Sequence, residues 1–131
     1  MTSSLQLPII TSVPDLTTFQ QIMENNPGLV IIRLTATWCG PCQVIGNDVK
    51  AMFAAMPSNV QCLSIDIDEN IDLYSFLKKK RVVNGVPAIL CYKRGNTSNV
   101  PDDYMIGASK DKLQAFSERC VQLAIKIAHL A

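Results

Sequence analysis

The sequence predicts an α/β fold built on a single mixed β-sheet with helices on both faces. Two observations carry that expectation. Strand-like apolar runs alternate with segments of helical periodicity in the order β-α-β-α-β-α-β-β-α. No linker, repeat or low-complexity segment divides the 131 residues, so one domain covering 1–131 is expected.

The elements follow in order along the chain. Leu5 to Ile10 reads as an edge strand, where Pro8 forfeits a ladder donor least harmfully. Ser12 is placed to cap a helix from about Pro14 to Asn25, with Leu16, Phe19, Ile22 and Met23 inward. Asn26-Pro27-Gly28 is turn chemistry. Leu29 to Thr35 is apolar on both parities, as a central strand buried on two faces requires. Ile45, Val49, Met52, Phe53 and Met56 recur at helical spacing, predicting a helix from Pro41 to Met56. Val60 to Ile67 reads as a second buried strand and Ile71 to Lys79 as a short helix. Val86 to Tyr92 and Val100 to Ile106 read as two more strands, joined through Arg94-Gly95-Asn96. Ser109 caps a long final helix reaching His129.

Composition narrows the function. A hydrophobic fraction of 48% with 18% charged residues reads as soluble and globular. The net charge of +1 points to neither a nucleic acid nor an anionic membrane as partner. No apolar stretch is long enough to span a bilayer. Met1 to Pro8 carries neither a basic start nor an apolar signal core, so the expected location is cytoplasmic.

The chemistry lies in Trp38-Cys39-Gly40-Pro41-Cys42, at the junction of the Leu29–Thr35 strand and the helix that follows. A C-x-x-C spacing there puts both sulfurs on one helical turn. Cys39 sits where unpaired backbone N–H groups and the helix dipole favour a thiolate. Such a pair attacks a disulfide and then closes on itself, a redox cycle needing no cofactor. The chain has five cysteines (39, 42, 62, 91 and 120), only one C-x-x-C, and a lone histidine at 129. A structural zinc site needs a second ligand pair, so redox chemistry is preferred and no metal is expected.

These residues give the chain a resemblance to the thioredoxin family over nearly its whole length. It rests on Trp38-Cys-Gly-Pro-Cys42 after a strand, Ile65-Asp-Ile-Asp-Glu-Asn70 at a strand end, Asn84-Gly-Val-Pro-Ala88 opening a strand, and Gly107 before the last helix. Gly-Pro between the cysteines resembles the reducing members; isomerases and strong oxidants usually carry a histidine there. The resemblance implies a thioredoxin fold and a thiol–disulfide oxidoreductase that reduces protein disulfides. Cys39 would be the exposed nucleophile and Cys42 the buried resolving thiol, the two cycling through a Cys39–Cys42 disulfide. Pro87 would be cis and would place the Val86 backbone to pair with an extended substrate segment. Trp38, Gly40, Pro41, Val86, Ile106 and Gly107 would form a flat apolar surface around the sulfurs. Disulfide-containing proteins would be the substrates and a thioredoxin-reductase-type donor would recharge the pair.

The sequence departs from the family at three places. The buried acid usually found six residues before the nucleophile is replaced by Arg33, and its companion lysine by Ser64. A cation there lowers the thiol pKa of Cys42 yet cannot accept its proton. It would need Asp66 or another carboxylate as partner; otherwise the strand is locally shifted or Arg33 extends outward. Asn47 stands where the family usually has a kinking proline, so a straighter helix is expected. The Gly95–Asp103 loop is several residues longer than in compact members, and the resemblance implies that it would reshape one rim of the substrate surface.

Other signals read more simply. Cys62, Cys91 and Cys120 fit as small buried hydrophobes. Asp66-x-Asp68-x-Asn70 imitates the start of a calcium loop, but Ile71 and Leu77 occupy the positions that need glycine and acid. Lys78-Lys79-Lys80-Arg81 reads as a solvated helix C-terminus. Asn96-Thr97-Ser98 is a glycosylation sequon of no use in the cytosol. On the last helix Leu113, Phe116, Cys120, Leu123 and Ile127 form one stripe, and Val121 and Ile125 widen it. That surplus either lies under the loop around Val100 or makes a weak self-association surface, so a monomer or a weak self-associating chain is expected. A second function class stays open: a binding or assembly subunit with incidental redox activity.

Overall fold

The computed structural model describes residues 6–130. Four strands, β1 (Leu29–Thr35), β2 (Val60–Asp66), β3 (Ala88–Lys93) and β4 (Asp103–Ile106), form one mixed sheet in the order β2-β1-β3-β4. β1 runs parallel to β2 and antiparallel to β3, and β3 and β4 are antiparallel. Alternation of side chains along β1 divides the core in two. Val30, Ile32 and Leu34 pack with Phe19 and Met23 of α1 (Leu16–Glu24) and Leu73 and Leu77 of α4 (Ile71–Lys79). Leu29 and Ile31 face Val49 and Phe53 of α3 (Gly46–Ala54) and Phe116 and Cys120 of α5 (Lys110–Ala128). Helices therefore cover both faces, which is why β1 and β3 are buried on both parities.

The edge strand expected from Leu5 to Ile10 is reduced to a bridge. Leu5 lies outside the described residues, and from Gln6 onward only Ile10 pairs, in parallel, with Leu63. Its amide donates to the Cys62 carbonyl and its carbonyl accepts from the Ser64 amide. Pro8, which has no amide to donate, precedes the bridge. The first helix starts later than the Ser12 cap implied: Asp15 is its N-cap, its carboxylate accepting from the Thr18 amide at 2.7 Å. Leu16, expected inward, is exposed, whereas Phe19 and Met23 are buried.

The helix expected from Pro41 to Met56 is two helices. α2 (Gly40–Val44) ends at Ile45, and α3 begins at Gly46 without a proline. An interruption in the helix ladder needs a physical cause, and here one comes from β1. The Arg33 guanidinium donates through Nη2 to the Cys42 carbonyl at 3.1 Å. In an unbroken helix that carbonyl would accept from the Gly46 amide. Glycine adds low helix propensity at the same point, although a Cβ there would meet Arg33 Nη2 only at an ordinary contact distance of 3.7 Å.

β4 also starts later than expected, at Asp103 rather than Val100. The preceding loop is held by its own bonds. Asn96 Nδ2 donates to the Val100 carbonyl at 2.9 Å, and Tyr92 Oη to the Asn99 carbonyl at 2.9 Å. On α5, Ala124 replaces Leu123 in the fully buried stripe, while Val121 and Leu123 are half-buried and Ile125 is exposed. Val100 is itself exposed and lies beside Tyr104 and Ile106, so the loop is not a cover for Val121 and Ile125.

Candidate active site

The motif is set by the end of β1. The Cys39 amide donates to the Ala36 carbonyl at 3.2 Å, closing a tight turn after the strand. Gln43 Nε2 donates to that same carbonyl at 3.1 Å. Cys39 is the N-cap of α2, with Pro41 near the helix start, where its missing N–H is harmless. Cys39 Sγ accepts from the Cys42 amide at 3.2 Å and lies 3.8 Å from the Val86 carbonyl oxygen. Cys39 and Cys42 are joined as a disulfide, with Cα atoms 5.3 Å apart. Both are buried, Cys42 completely and Cys39 to 5% exposure. The exposed nucleophile expected at position 39 is therefore covered in this oxidised form, its sulfur seated between the Cys42 amide and the Val86 carbonyl.

The residues around the disulfide differ in exposure. Trp38, Gly40 and Pro41 are exposed beside the disulfide, and Val86 is half-buried. The Val86–Pro87 peptide bond is cis and Pro87 is buried. The Gly107 amide donates to the Pro87 carbonyl at 3.1 Å, which ties the end of β4 to the loop before β3. Gly107 has φ +93°, a left-handed conformation that favours glycine. Exposed Ile106 lies next to it.

Trp38 is steadied by a residue the sequence reading did not assign. Its indole Nε1 donates to Asp68 Oδ2 at 2.7 Å. Asp68 is placed in turn by Asp66, whose Oδ1 accepts the Asp68 amide at 2.9 Å. Asn70, buried, accepts the Val13 amide and donates to the Asp66 carbonyl. The Asp66-x-Asp68-x-Asn70 pattern thus builds a turn that positions Trp38. Its alternating short polar side chains were the available signal.

Arg33 neither shifts register nor turns out to solvent. It pairs with Ser64 across β1 and β2, is half-buried, and reaches under α2 to Cys42. Asp66 is not its partner: among the described residues no ion pair involves Arg33, and its Nε is buried without a hydrogen bond. Burial lowers its pKa, yet a guanidinium stays charged at neutral pH. A fixed positive charge therefore sits at the Cys42 backbone, and among the described residues only that carbonyl answers it.

The other thiols are separate from this site. Cys62, Cys91 and Cys120 are free and buried in the core between the sheet and α3 and α5. Burial pushes the Cys62 thiol up to about 12. Cys91 is also raised, first by a hydrogen bond with Cys120 and then by burial. Thiols so placed are poor nucleophiles. Among the described residues no cluster of three or more His, Cys, Asp or Glu side chains could hold a metal ion.

A Cys-x-x-Cys pair closed at a helix N-terminus, on a four-stranded mixed sheet sandwiched by helices, defines a dithiol–disulfide centre on a thioredoxin fold. The thioredoxin family model matches residues 11–119, and the chain belongs to that family. It is 31% identical over 108 residues to thioredoxin of Pseudomonas aeruginosa, covering 82% of this chain and 92% of that one. With mitochondrial thioredoxin of Mus musculus it shares 30% identity over 110 residues, 84% of this chain and 62% of the relative. The chain thus spans about three-fifths of the length of that mitochondrial relative. The structure of Trichomonas vaginalis thioredoxin matches with a TM-score of 0.70 at 26% identity, over 86% of this chain and 96% of that chain.

Proposed function

We propose that this protein is a thiol–disulfide oxidoreductase that reduces protein disulfides through the Cys39/Cys42 dithiol. The observation that carries the reading is the Cys39–Cys42 disulfide at the N-terminus of α2, beside the Val86 carbonyl. In the reduced form the Cys39 thiolate attacks one sulfur of the target disulfide, and the other target sulfur leaves as a thiolate. The Cys42 thiolate then attacks Cys39 Sγ, the Cys39–Cys42 bond forms, and the second target sulfur departs. Two electrons pass to the target, and no cofactor is required. A thioredoxin-reductase-type donor restores the dithiol. During the mixed-disulfide stage the Val86 backbone pairs with the substrate segment, and Trp38, Pro87, Ile106 and Gly107 cover its flanks.

A second reading has one observation in its favour. Arg33 occupies the position of the usual internal base, which suits an assembly or binding subunit whose redox cycling is incidental. Dithiothreitol-driven reduction of a protein disulfide separates the two. The oxidoreductase turns over and loses activity on Cys39→Ser, whereas a binding subunit gives no turnover above the reductant alone. The favoured reading also takes the protein as cytoplasmic, monomeric or weakly self-associating, and without a nucleic-acid or membrane partner.

A further inference from the structure

We propose that the substrate surface continues from the dithiol into a basic groove that selects acidic, extended segments next to the target disulfide, with Arg81 as its specificity-determining residue. The proposal rests on the oxidoreductase reading above. A groove of about 530 Å³ is lined by Val86 and Pro87, which adjoin Cys39, and by Arg81, Val100, Tyr104 and Ile106. Val100, Tyr104 and Ile106 are 68%, 59% and 52% exposed, an apolar strip left uncovered by the chain itself. Tyr104 and Ile106 come from β4, and Val100 from the long loop before it.

Charge gives the groove its selectivity. Among the described residues, Lys80 and Arg81 are its only charged lining residues. The carboxylates nearby in sequence are already engaged: Asp102 accepts from the Lys93 amide and Asn96 Nδ2, and Asp103 holds Arg119. Lys80 lies over the Phe76 ring at 5.8 Å. Among the described residues Arg81 has neither an ion pair nor a side-chain hydrogen bond.

The backbone at Arg81 adds an independent argument. Arg81 follows the α4 C-cap Lys80 and has φ +61°, the left-handed conformation. Its amide donates to the Lys78 carbonyl and the Val82 amide to the Leu77 carbonyl, the Schellman pattern that glycine usually completes. An arginine there is strained, and its exposed side chain gains no packing in return. A side chain kept at such a position, on the wall of a groove continuous with the dithiol, points to use in recognition. The occupant that fits is an extended segment of a disulfide-bearing protein, with apolar residues for the Val100–Tyr104–Ile106 strip and carboxylates for Arg81 and Lys80.

The test compares two disulfide peptides identical except that Glu pairs flank the reacting cysteine in one and Gln pairs in the other. The wild-type protein is expected to reduce the acidic peptide with a kcat/KM about five-fold higher, and 0.5 M salt to erase the preference. In Arg81→Gly, whose backbone suits the position and whose folding is checked by circular dichroism, the acidic-to-neutral ratio should fall toward one. Equal kcat/KM for both peptides in the wild type, or an unchanged ratio in Arg81→Gly, overturns the groove while leaving the oxidoreductase reading intact. Reduction of neither peptide overturns the oxidoreductase reading and the groove with it.

Discussion

Arg33 donates to the backbone carbonyl of Cys42 at 3.1 Å, so a strand residue supplies the hydrogen bond at which the active-site helix breaks. The same contact holds a positive charge against the backbone of the resolving cysteine. Electrostatics and local backbone geometry are thereby joined in one side chain.

The charge has a redox consequence. A cation stabilises the Cys42 thiolate, hence the reduced form, and makes the pair more oxidising than the roughly −270 mV that serves as a general reference for thioredoxin. Arg33→Asp should lower the potential by about 30 mV or more, the two-electron equivalent of ~1.4 kcal/mol. Because Arg33 cannot accept a proton, the resolving step should accelerate with rising pH, and Arg33→Asp should flatten that dependence. Equilibration against glutathione and single-turnover kinetics measure both. Identical potentials and pH profiles would show that Arg33 does not act on the dithiol.

Arg33 also affects stability. Its Nε is buried without a partner, and among the described residues no carboxylate pairs with it. A buried unsatisfied donor costs about 1–3 kcal/mol, while the bond to the Cys42 carbonyl returns about 1 kcal/mol. Arg33→Met keeps the length and apolar stem, and should raise unfolding free energy by roughly 1 kcal/mol in urea. A loss of that size instead would mean that the Cys42 carbonyl bond outweighs the desolvation of the guanidinium.

Two core thiols, Cys62 and Cys91, define an alkaline limit. Burial holds Cys62 neutral, its pKa moving from 9.0 to about 12. A folded-state pKa above the unfolded one contributes stability fully present below the unfolded value and lost as pH rises. Stability should therefore decline from about pH 9 toward 12, with each such thiol adding a slope of up to ~1.4 kcal/mol per pH unit. Denaturant melts of wild type and Cys62→Ala across that range test it; identical slopes would rule out Cys62 as a contributor. At pH 8 the native protein should alkylate only at the reduced active-site pair.

The widened face of α5 divides into two kinds of position. Val121 packs against the core on the α3 and α5 side, whereas Ile125 is exposed. Val121→Asp should destabilise by about 1–3 kcal/mol through burial of a carboxylate, and Ile125→Asp should stay within ~0.5 kcal/mol. Chemical denaturation gives both values, and light scattering on Ile125→Asp reports any self-association through this face. Equal destabilisation by the two substitutions would contradict the packing described.

Much of this architecture was legible because burial on two faces leaves a plain sequence signature. Leu29 to Thr35 is apolar on both parities, and the strand observed has those bounds. Ile71 to Lys79 and the Ser109 cap were equally direct. What escaped depended on contacts between distant segments. The break at Ile45 requires Arg33 from β1, and no helical periodicity within 41–56 records it. The role of Asp68 requires Trp38, 30 residues earlier. Leu5 to Ile10 alternates like a strand, yet from Gln6 onward only Ile10 meets the β2 edge. The disulfide pair itself was local, two cysteines three apart, and so could be read directly. The groove at Arg81 was not, because it joins the end of α4 to a loop about 20 residues later.

Trapping the mixed disulfide in Cys42→Ser tests the central claim most directly. With the resolving thiol removed, a reduced Cys42→Ser protein incubated with an oxidised disulfide substrate should accumulate a covalent adduct. Peptide mapping by mass spectrometry should place that adduct on Cys39 alone, released by dithiothreitol. An adduct on Cys62, Cys91 or Cys120, or the absence of any adduct, would contradict the account.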